Sequence, residues 1–211
     1  ISSTLDPFVQ LTGGTLELSG TYLPYPVTGG TYTDTSGRFL DMSSSDPAYP
    51  ATLSLAGPLL IASGTTMSAQ NHFLRVANNA QLSSSTTSPL VQLHGANLSI
   101  NGTKIFTPTS GSPTTTTFGD FARVQYTGAS LNLQGPLLTA SGGSINMVGS
   151  SFLRVQDGAT VTSNSTQPLV QLSNTSLGGG AFRVLSERGR PGSTTSFQGP
   201  ILTATGTPID I

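Results

Sequence analysis

The side chains that could carry out chemistry are few and widely spaced. The chain holds nine acidic residues, and their densest group is Asp34, Asp41 and Asp46, beside Arg38. Enzymes that cleave polysaccharides usually place a pair of carboxylates in one cleft. Scattered surface charge explains this group more simply, and we predict no catalytic residues.

The other candidates for chemistry are equally sparse. The two histidines are His72 and His94, and there is no cysteine, whereas a zinc site needs three or four ligands. The sequence contains neither GxSxG nor HExxH. A short charged patch of Arg183, Glu187, Arg188 and Arg190 is typical of a solvated loop. We therefore expect no metal, no cofactor and no enzymatic activity.

Composition excludes further classes of protein. Only 8% of the 211 residues are charged and the net charge is −1, so the chain lacks the basic face of a nucleic-acid-binding protein. The absence of cysteine excludes a disulfide scaffold. No apolar run approaches the length of a membrane-spanning helix, and we expect no membrane insertion.

Internal repeats indicate the elements that position these residues. Residues 57–64, 135–142 and 199–206 read GPLLIASG, GPLLTASG and GPILTATG. Both 73–76 and 152–155 read FLRV, so that Phe152 repeats Phe73. An apolar-apolar-any-apolar box occurs eleven times, with a mean spacing of about 19 residues. After most boxes comes a short alternation of apolar and polar residues, which is typical of strands.

This pattern predicts an all-β fold, a parallel β-helix or β-solenoid, with the right-handed form expected. We predict about eleven coils of about 19 residues each, grouped in superrepeats of four coils or about 79 residues. Whether a coil has two or three strands stays open. Residues 1–211 form a single domain that we expect to be a segment of a longer array, with insertions at 19–38 and 101–120.

The boxes also predict which residues face inward. At the first position Phe and Leu nearly alternate, which indicates one interior column of large and smaller side chains. The third position is polar and should face water. There Arg75, Arg123 and Arg154 alternate with Gln or Thr, an order that would keep like charges out of adjacent rungs and favours a structural role.

Aromatic residues in the first insertion are the best candidates for binding. Tyr22, Tyr25 and Tyr32 lie there, and loops on one face of a solenoid are common binding sites. These tyrosines could equally cover the loop's own small core. Together with Arg75, Arg123 and Arg154, they are the predicted contacts for any ligand or partner.

Two segments carry a family resemblance. FLRVQDGATVTSNSTQPLVQL at 152–172 and FLRVANNAQLSSSTTSPLVQL at 73–93 resemble the repeats of filamentous-haemagglutinin-like bacterial surface exoproteins and related autotransporter passengers. The resemblance covers essentially the whole chain and rests on coil pattern and composition. It implies a secreted, right-handed β-helical stalk that holds adhesive parts away from the cell or forms filaments and biofilm matrix. The family has no catalytic residues to carry over.

We therefore expect a structural or adhesive extracellular rod, located outside the cell or on its surface. Two alternatives stay open. One is a filament subunit that stacks end to end, and the other is a carbohydrate-binding or polysaccharide-degrading β-helix protein that uses the insertion's tyrosines. The expected partners are further copies of the chain or adjoining coils at both open ends, and glycans or host surfaces, but no nucleic acid.

Overall fold

The computed structural model describes residues 6–18, 20–21, 25–27, 30–149, 151–180, 183–188 and 192–209. These residues form strands and turns without a helix. Most strands are four residues long, because each is a short apolar–polar alternation that ends at a turn. The strands, in chain order, are β1 (Val9–Thr12), β2 (Thr15–Leu18), β3 (Gly20–Thr21), β4 (Tyr25–Val27), β5 (Gly30–Ser36), β6 (Leu40–Ser43), β7 (Thr52–Leu55), β8 (Leu60–Ser63), β9 (Thr66–Ala69), β10 (Leu74–Ala77), β11 (Gln81–Ser84), β12 (Val91–His94), β13 (Asn97–Ile100), β14 (Gly102–Pro108), β15 (Thr114–Phe118), β16 (Ala122–Gln125), β17 (Ser130–Leu133), β18 (Leu138–Ser141), β19 (Ser144–Met147), β20 (Ser151–Gln156), β21 (Thr160–Ser163), β22 (Val170–Ser173), β23 (Ser176–Gly178), β24 (Arg183–Arg188), β25 (Thr194–Phe197) and β26 (Leu202–Thr205).

Four parallel sheets run along the molecule, and the chain visits them in a fixed order. Sheet I contains β1, β8, β12, β18, β22 and β26, and sheet II contains β2, β9, β13, β19 and β23. Sheet III contains β6, β10, β16, β20 and β24, and sheet IV contains β7, β11, β17, β21 and β25. One pass through sheets I to IV makes one coil of four strands. The all-β, parallel β-solenoid is confirmed, while the right-handed sense stays a prediction.

The length of a coil differs from the prediction. The stacked positions of sheet I are Leu60, Val91, Leu138, Val170 and Leu202, and their sequence numbers differ by 31, 47, 32 and 32 in turn. The largest step contains the second insertion, so a coil without an insertion has about 32 residues. Eleven coils of about 19 residues each is therefore wrong, because every coil of the longer repeat carries two boxes. One box lies on sheet I and the other on sheet III, and the predicted superrepeat accordingly spans two coils.

The core is built from columns of like residues. Phe39, Phe73, Phe121 and Phe152 lie near the start of the strands of sheet III, and successive ring centroids lie 5.0, 5.4 and 6.4 Å apart. Leu59, Leu90 and Leu137 occupy the equivalent position beside sheet I and are at most 1% exposed. The predicted single column of alternating Phe and Leu is wrong, because consecutive boxes lie on different sheets. Each ring instead packs on the ring of the next coil.

The two insertions form a sheet of their own. In this insertion sheet, β5 pairs antiparallel with β14, and β14 pairs with β15. β3 and β4 add to β5. The segment Thr103–Phe106 belongs to β14 of this sheet. The predicted insertions at 19–38 and 101–120 thus contact each other across one coil of the solenoid.

Candidate functional site

The outer surface of sheet III carries a column of arginines. In register along this sheet lie Asp41, Arg75, Arg123 and Arg154, and Ser186 continues the column on β24. Adjacent strands are ~4.8 Å apart, so the three arginines occupy neighbouring rungs.

This column corrects the predicted separation of the arginines. Gln92 and Thr139, which were expected to stand between them, lie together on sheet I. The physical reason is again that consecutive boxes belong to different sheets. Arg183 lies outside this column, because it pairs with Ser151.

A second polar column borders the first. It consists of the residue that precedes each phenylalanine of the core: Arg38, His72, Asp120 and Ser151. Backbone hydrogen bonds join neighbouring coils at these positions. The N–H of Phe73 donates to the carbonyl of Asp120 at 3.0 Å, and the N–H of Phe121 donates to the carbonyl of Ser151 at 2.9 Å. His72, Asp120 and Ser151 are at most 3% exposed. Sequence reasoning gave Asp120 and Ser151 no role in a site, because their partners come from neighbouring coils.

Contacts between the two columns hold the arginines in place. Asp41 accepts from Nη1 of Arg38 at 2.7 Å and from Nη1 of Arg75 at 2.8 Å. Nη2 of Arg154 lies 3.3 Å from Oδ1 of Asp120. Nη1 of Arg123 lies 2.7 Å from Nε2 of His72. Every guanidinium therefore has an acceptor, which offsets the repulsion between neighbouring rungs.

The surroundings of His72 determine its tautomer. Both ring nitrogens face donors: Nη1 of Arg123 lies 2.7 Å from Nε2, and the backbone nitrogen of Asp120 lies 3.2 Å from Nδ1. A neutral imidazole accepts at one nitrogen only. The shorter contact, with a guanidinium that keeps its proton, takes the lone pair at Nε2. The ring hydrogen then lies on Nδ1, which is 3.3 Å from Oδ2 of Asp120 without forming a hydrogen bond to that oxygen.

Burial changes the acid–base properties of this cluster. Burial, and then the charges of Arg123, Arg38, Arg154 and Arg75, hold the pKa of His72 well below its usual range. Burial raises the pKa of Asp120, against the opposing effects of Arg154, Arg123 and the hydrogen bonds from Ser151. Burial also lowers the pKa of Arg123, and Asp120 opposes that shift. His72 is thus neutral at pH 7, and Arg123 is a largely desolvated cation.

The result is a concentrated positive surface, which we name the arginine face: Arg38, Arg75, Arg123 and Arg154. These are four of the eight cationic side chains in the chain. Asp41 and Asp120 contact these guanidiniums directly. The arrangement can bind anions through guanidinium hydrogen bonds.

The predicted tyrosines lie elsewhere. Tyr22 is outside the described residues, and Tyr25 lies directly opposite Tyr32 in the antiparallel pair of β4 and β5. Sequence reasoning missed Tyr49 and Tyr126, which are 77% and 42% exposed. They follow β6 and β16, so both lie at the carboxyl edge of sheet III. The signal that could have found them is their position shortly after a box that carries Asp41 or Arg123.

The remaining sequence candidates do not gather into a site. Arg38 pairs with Asp41, but Asp34 lies opposite Lys104 in the insertion sheet, and Asp46 accepts from the backbone of its own loop. His94 is on sheet I, where its Nδ1 lies 3.1 Å from the hydroxyl of Ser141. Glu187 accepts a hydrogen bond from Thr195, and Arg190 is outside the described residues. Within the described ranges, no three His, Cys, Asp or Glu side chains lie close enough to hold a metal ion.

Comparisons with known proteins leave the resemblance to bacterial surface exoproteins a prediction. No family model, no curated protein and no solved structure matches the chain. The described part of the chain contains no helix that is both long and apolar enough to cross a membrane.

Proposed function

We propose that this chain is a structural and adhesive rod of an extracellular or cell-surface protein, without catalysis. The observation that carries the proposal is the continuous column of stacked coils, whose apolar side chains form one core along the molecule. Such a solenoid has stiffness along its axis and a long lateral surface. Both properties suit a spacer that presents binding surfaces.

The surface composition supports an extracellular setting. Outward positions on sheets I, II and IV are mostly Ser, Thr, Asn and Gln, as in the sheet IV series Ser54, Ser83, Asn132, Thr162 and Ser196. Cross-strand hydrogen bonds join several of them, for example Ser83 to Ser54 at 3.2 Å. Because the chain has no cysteine, an oxidising compartment would form no disulfide bonds in it.

Immunogold labelling of intact source cells tests this proposal. Antiserum raised against the purified chain should label the outer surface of unbroken cells or the surrounding matrix. Sections of the same cells provide the control for total antigen. Label confined to the cytoplasm in sections, with bare intact cells, would overturn the proposal.

Electron microscopy of the purified chain addresses the filament alternative. Short, uniform rods at neutral pH support a rod segment. Long fibres of constant width would favour the subunit that stacks end to end, since open parallel sheet edges can pair with another copy.

A further inference from the structure

A groove lies at the end of sheet IV, where the chain turns toward sheet I of the next coil. We name it the sheet IV groove, and its lining comes from residues 54–56, 83–85, 132 and 134. These residues belong to β7, β11 and β17 or follow them directly, so the groove spans three coils. Its volume of about 310 Å³ is within the range of small-molecule sites, ~300–1,000 Å³.

The depth of the groove follows from the inward residues of sheet IV. At the last position of the strands, Ser84 stacks between Leu55 and Leu133. A serine side chain fills less of the space between coils than a leucine does. Leu55 and Ser84 are only 2% and 4% exposed, and both line the groove. The groove therefore reaches the edge of the core.

The hydroxyl of Ser84 has no partner at the floor of this groove. Although Ser84 is 96% buried, its Oγ makes no hydrogen bond within the described residues. Ser163, at the equivalent position two coils further on, accepts from the backbone N–H of Ser165 at 3.4 Å. Burial of an unpaired polar atom is unfavourable. A ligand that forms a hydrogen bond with Ser84 removes this cost.

The rim of the groove is polar and open to solvent. Its exposed polar residues are Ser54, Ser85, Asn132 and Gln134. Oγ of Ser83 donates to Oγ of Ser54 at 3.2 Å, and Oδ1 of Asn132 accepts from Oγ1 of Thr162 at 2.5 Å. These contacts between coils hold the side chains but do not use the amide nitrogen of Asn132. The rim is therefore partly preorganised and keeps donors for a ligand.

The lining selects a class of ligand. Every residue that lines the groove is uncharged, and an ionic ligand would lose hydration there without a countercharge. Serine hydroxyls and the amides of Asn132 and Gln134 both donate and accept hydrogen bonds, as the hydroxyls of a sugar do. Leu55 and Ala56 add apolar surface, which suits the C–H groups of a sugar ring.

We propose that the sheet IV groove binds a short stretch of a neutral polysaccharide through Ser84, Asn132 and Gln134. The inference rests on the proposed function and deepens it, since it names a surface by which the rod adheres. Beyond the groove, the outward column continues from Asn132 to Thr162 and Ser196. These uncharged rungs, ~4.8 Å apart, offer further hydrogen bonds to a glycan that lies along the rod.

An NMR titration of the purified chain tests the proposal. The probes are cellohexaose, maltohexaose and chitohexaose, and polygalacturonate is the acidic comparison. At least one neutral oligosaccharide should shift the side-chain amide signals of Asn132 and Gln134. Its affinity should be unchanged as salt rises, because no ion pair forms.

Two substitutions with matched controls locate the site. Ser84→Ala and Gln134→Ala should each weaken binding about threefold to tenfold, the effect of one neutral hydrogen bond. Ser163→Ala and Gln198→Ala change the equivalent positions two coils away and should stay within about twofold of wild type. Gln134 and Gln198 match closely, since their N–H groups donate to the carbonyls of Ser84 and Ser163 at 3.2 and 3.1 Å.

The stability of the Ser84 variant separates a binding role from a structural one. Because Oγ of Ser84 makes no hydrogen bond in the described structure, Ser84→Ala should melt no lower than wild type while its affinity falls. A lower melting temperature with unchanged affinity would mean that this serine only supports the coils. Circular dichroism confirms that each variant is folded, and the exposed Gln134 provides an independent test.

Three outcomes would overturn the inference. They are no binding of any neutral oligosaccharide, wild-type affinity in both Ser84→Ala and Gln134→Ala, and tighter binding of polygalacturonate with the same dependence on these residues. In each case, rods in electron microscopy and label on intact cells would leave the proposed rod function standing. Label confined to the cytoplasm would overturn that function even if a neutral glycan binds, so the two proposals fail separately.

Discussion

At the scale of single residues, His72 links the core to the arginine face. Its ring is 3% exposed, and it accepts from Arg123 through Nε2 and faces Asp120 through Nδ1. Protonation would place an N–H against a guanidinium. The neutral form is therefore required for this packing, and stability must depend on pH.

The sign of that dependence follows from linkage. The folded pKa of His72 lies below the unfolded value of about 6.5, so the unfolded chain takes up the proton first as pH falls. Wild type should lose stability below about pH 6.5, by at most ~1.4 kcal/mol per pH unit from this one proton. His72→Gln should remove that slope. Urea unfolding at pH 7.5, 6.5 and 5.5 measures it.

Two variants control this experiment. His94→Gln removes the exposed histidine on sheet I and should keep the wild-type slope. Asp120 acts oppositely, since its raised pKa makes the folded state bind the proton more tightly than the unfolded state above about pH 3.8. Asp120→Asn should therefore steepen the loss of stability on acidification toward pH 4. A wild-type slope that survives in His72→Gln would contradict the assignment.

The residue types in this site could be predicted from the sequence, but their contacts could not. Arg75, Arg123 and Arg154 were recognised as outward positions because box periodicity fixes the inward ones. Their stacking depends on which boxes share a sheet, and a single sequence does not distinguish a half coil from a coil. His72 and Asp120 are 48 residues apart, so no local pattern connects them.

At the scale of elements, glycines set the tight corners between sheets I and II. Gly142 and Gly143 join β18 to β19, with φ of 70° and 71°. A Cβ on Gly143 would lie 2.0 Å from the carbonyl oxygen of Ala96 in the previous coil. A Cβ on Gly142 would have no neighbour closer than 3.6 Å. Gly142 and Gly143 thus share a backbone conformation, but only Gly142 has room for a Cβ atom.

This pair separates conformational strain from steric overlap. Gly142→Ala should cost ~1–2 kcal/mol, the penalty of a left-handed conformation for an L-residue. Gly143→Ala should cost a further ~1–3 kcal/mol, because the backbone of Ala96 has to move. Chemical denaturation of both variants measures the difference. Equal losses would mean that the corner relaxes freely and that coil spacing is not fixed there.

The strands themselves were largely predictable. Alternating pairs such as Leu53/Leu55 and Leu131/Leu133 lie in β7 and β17, with the apolar residues buried as expected. The pairing of the insertions was not predictable, because β5 and β14 are separated by two coils of chain and meet through backbone hydrogen bonds. Backbone pairing of this kind leaves little trace in side-chain type.

At the scale of the whole molecule, the repeating unit is the four-strand coil. Every parallel pairing between the strands of the four sheets joins a strand to its equivalent one coil away. Stability is then close to a sum of coil terms and neighbour terms. Removal of one complete coil should leave every remaining strand with a compatible neighbour, whereas removal of a partial coil should not.

A pair of deletions tests this unit directly. Removal of residues 138–169 joins Leu137 to Val170, which already stacks on Leu138, and eliminates β18 to β21. The four sheets then keep their order, so the variant should unfold cooperatively with a modestly lower midpoint. Its rod should be shorter by ~4.8 Å in small-angle scattering. Removal of residues 138–156, a single spacing between boxes, places β21 directly after β17, although both belong to sheet IV. That variant should lose cooperative unfolding in its C-terminal part. If the deletion of 138–156 instead unfolded cooperatively and the deletion of 138–169 did not, the repeating unit would be a coil of about 19 residues.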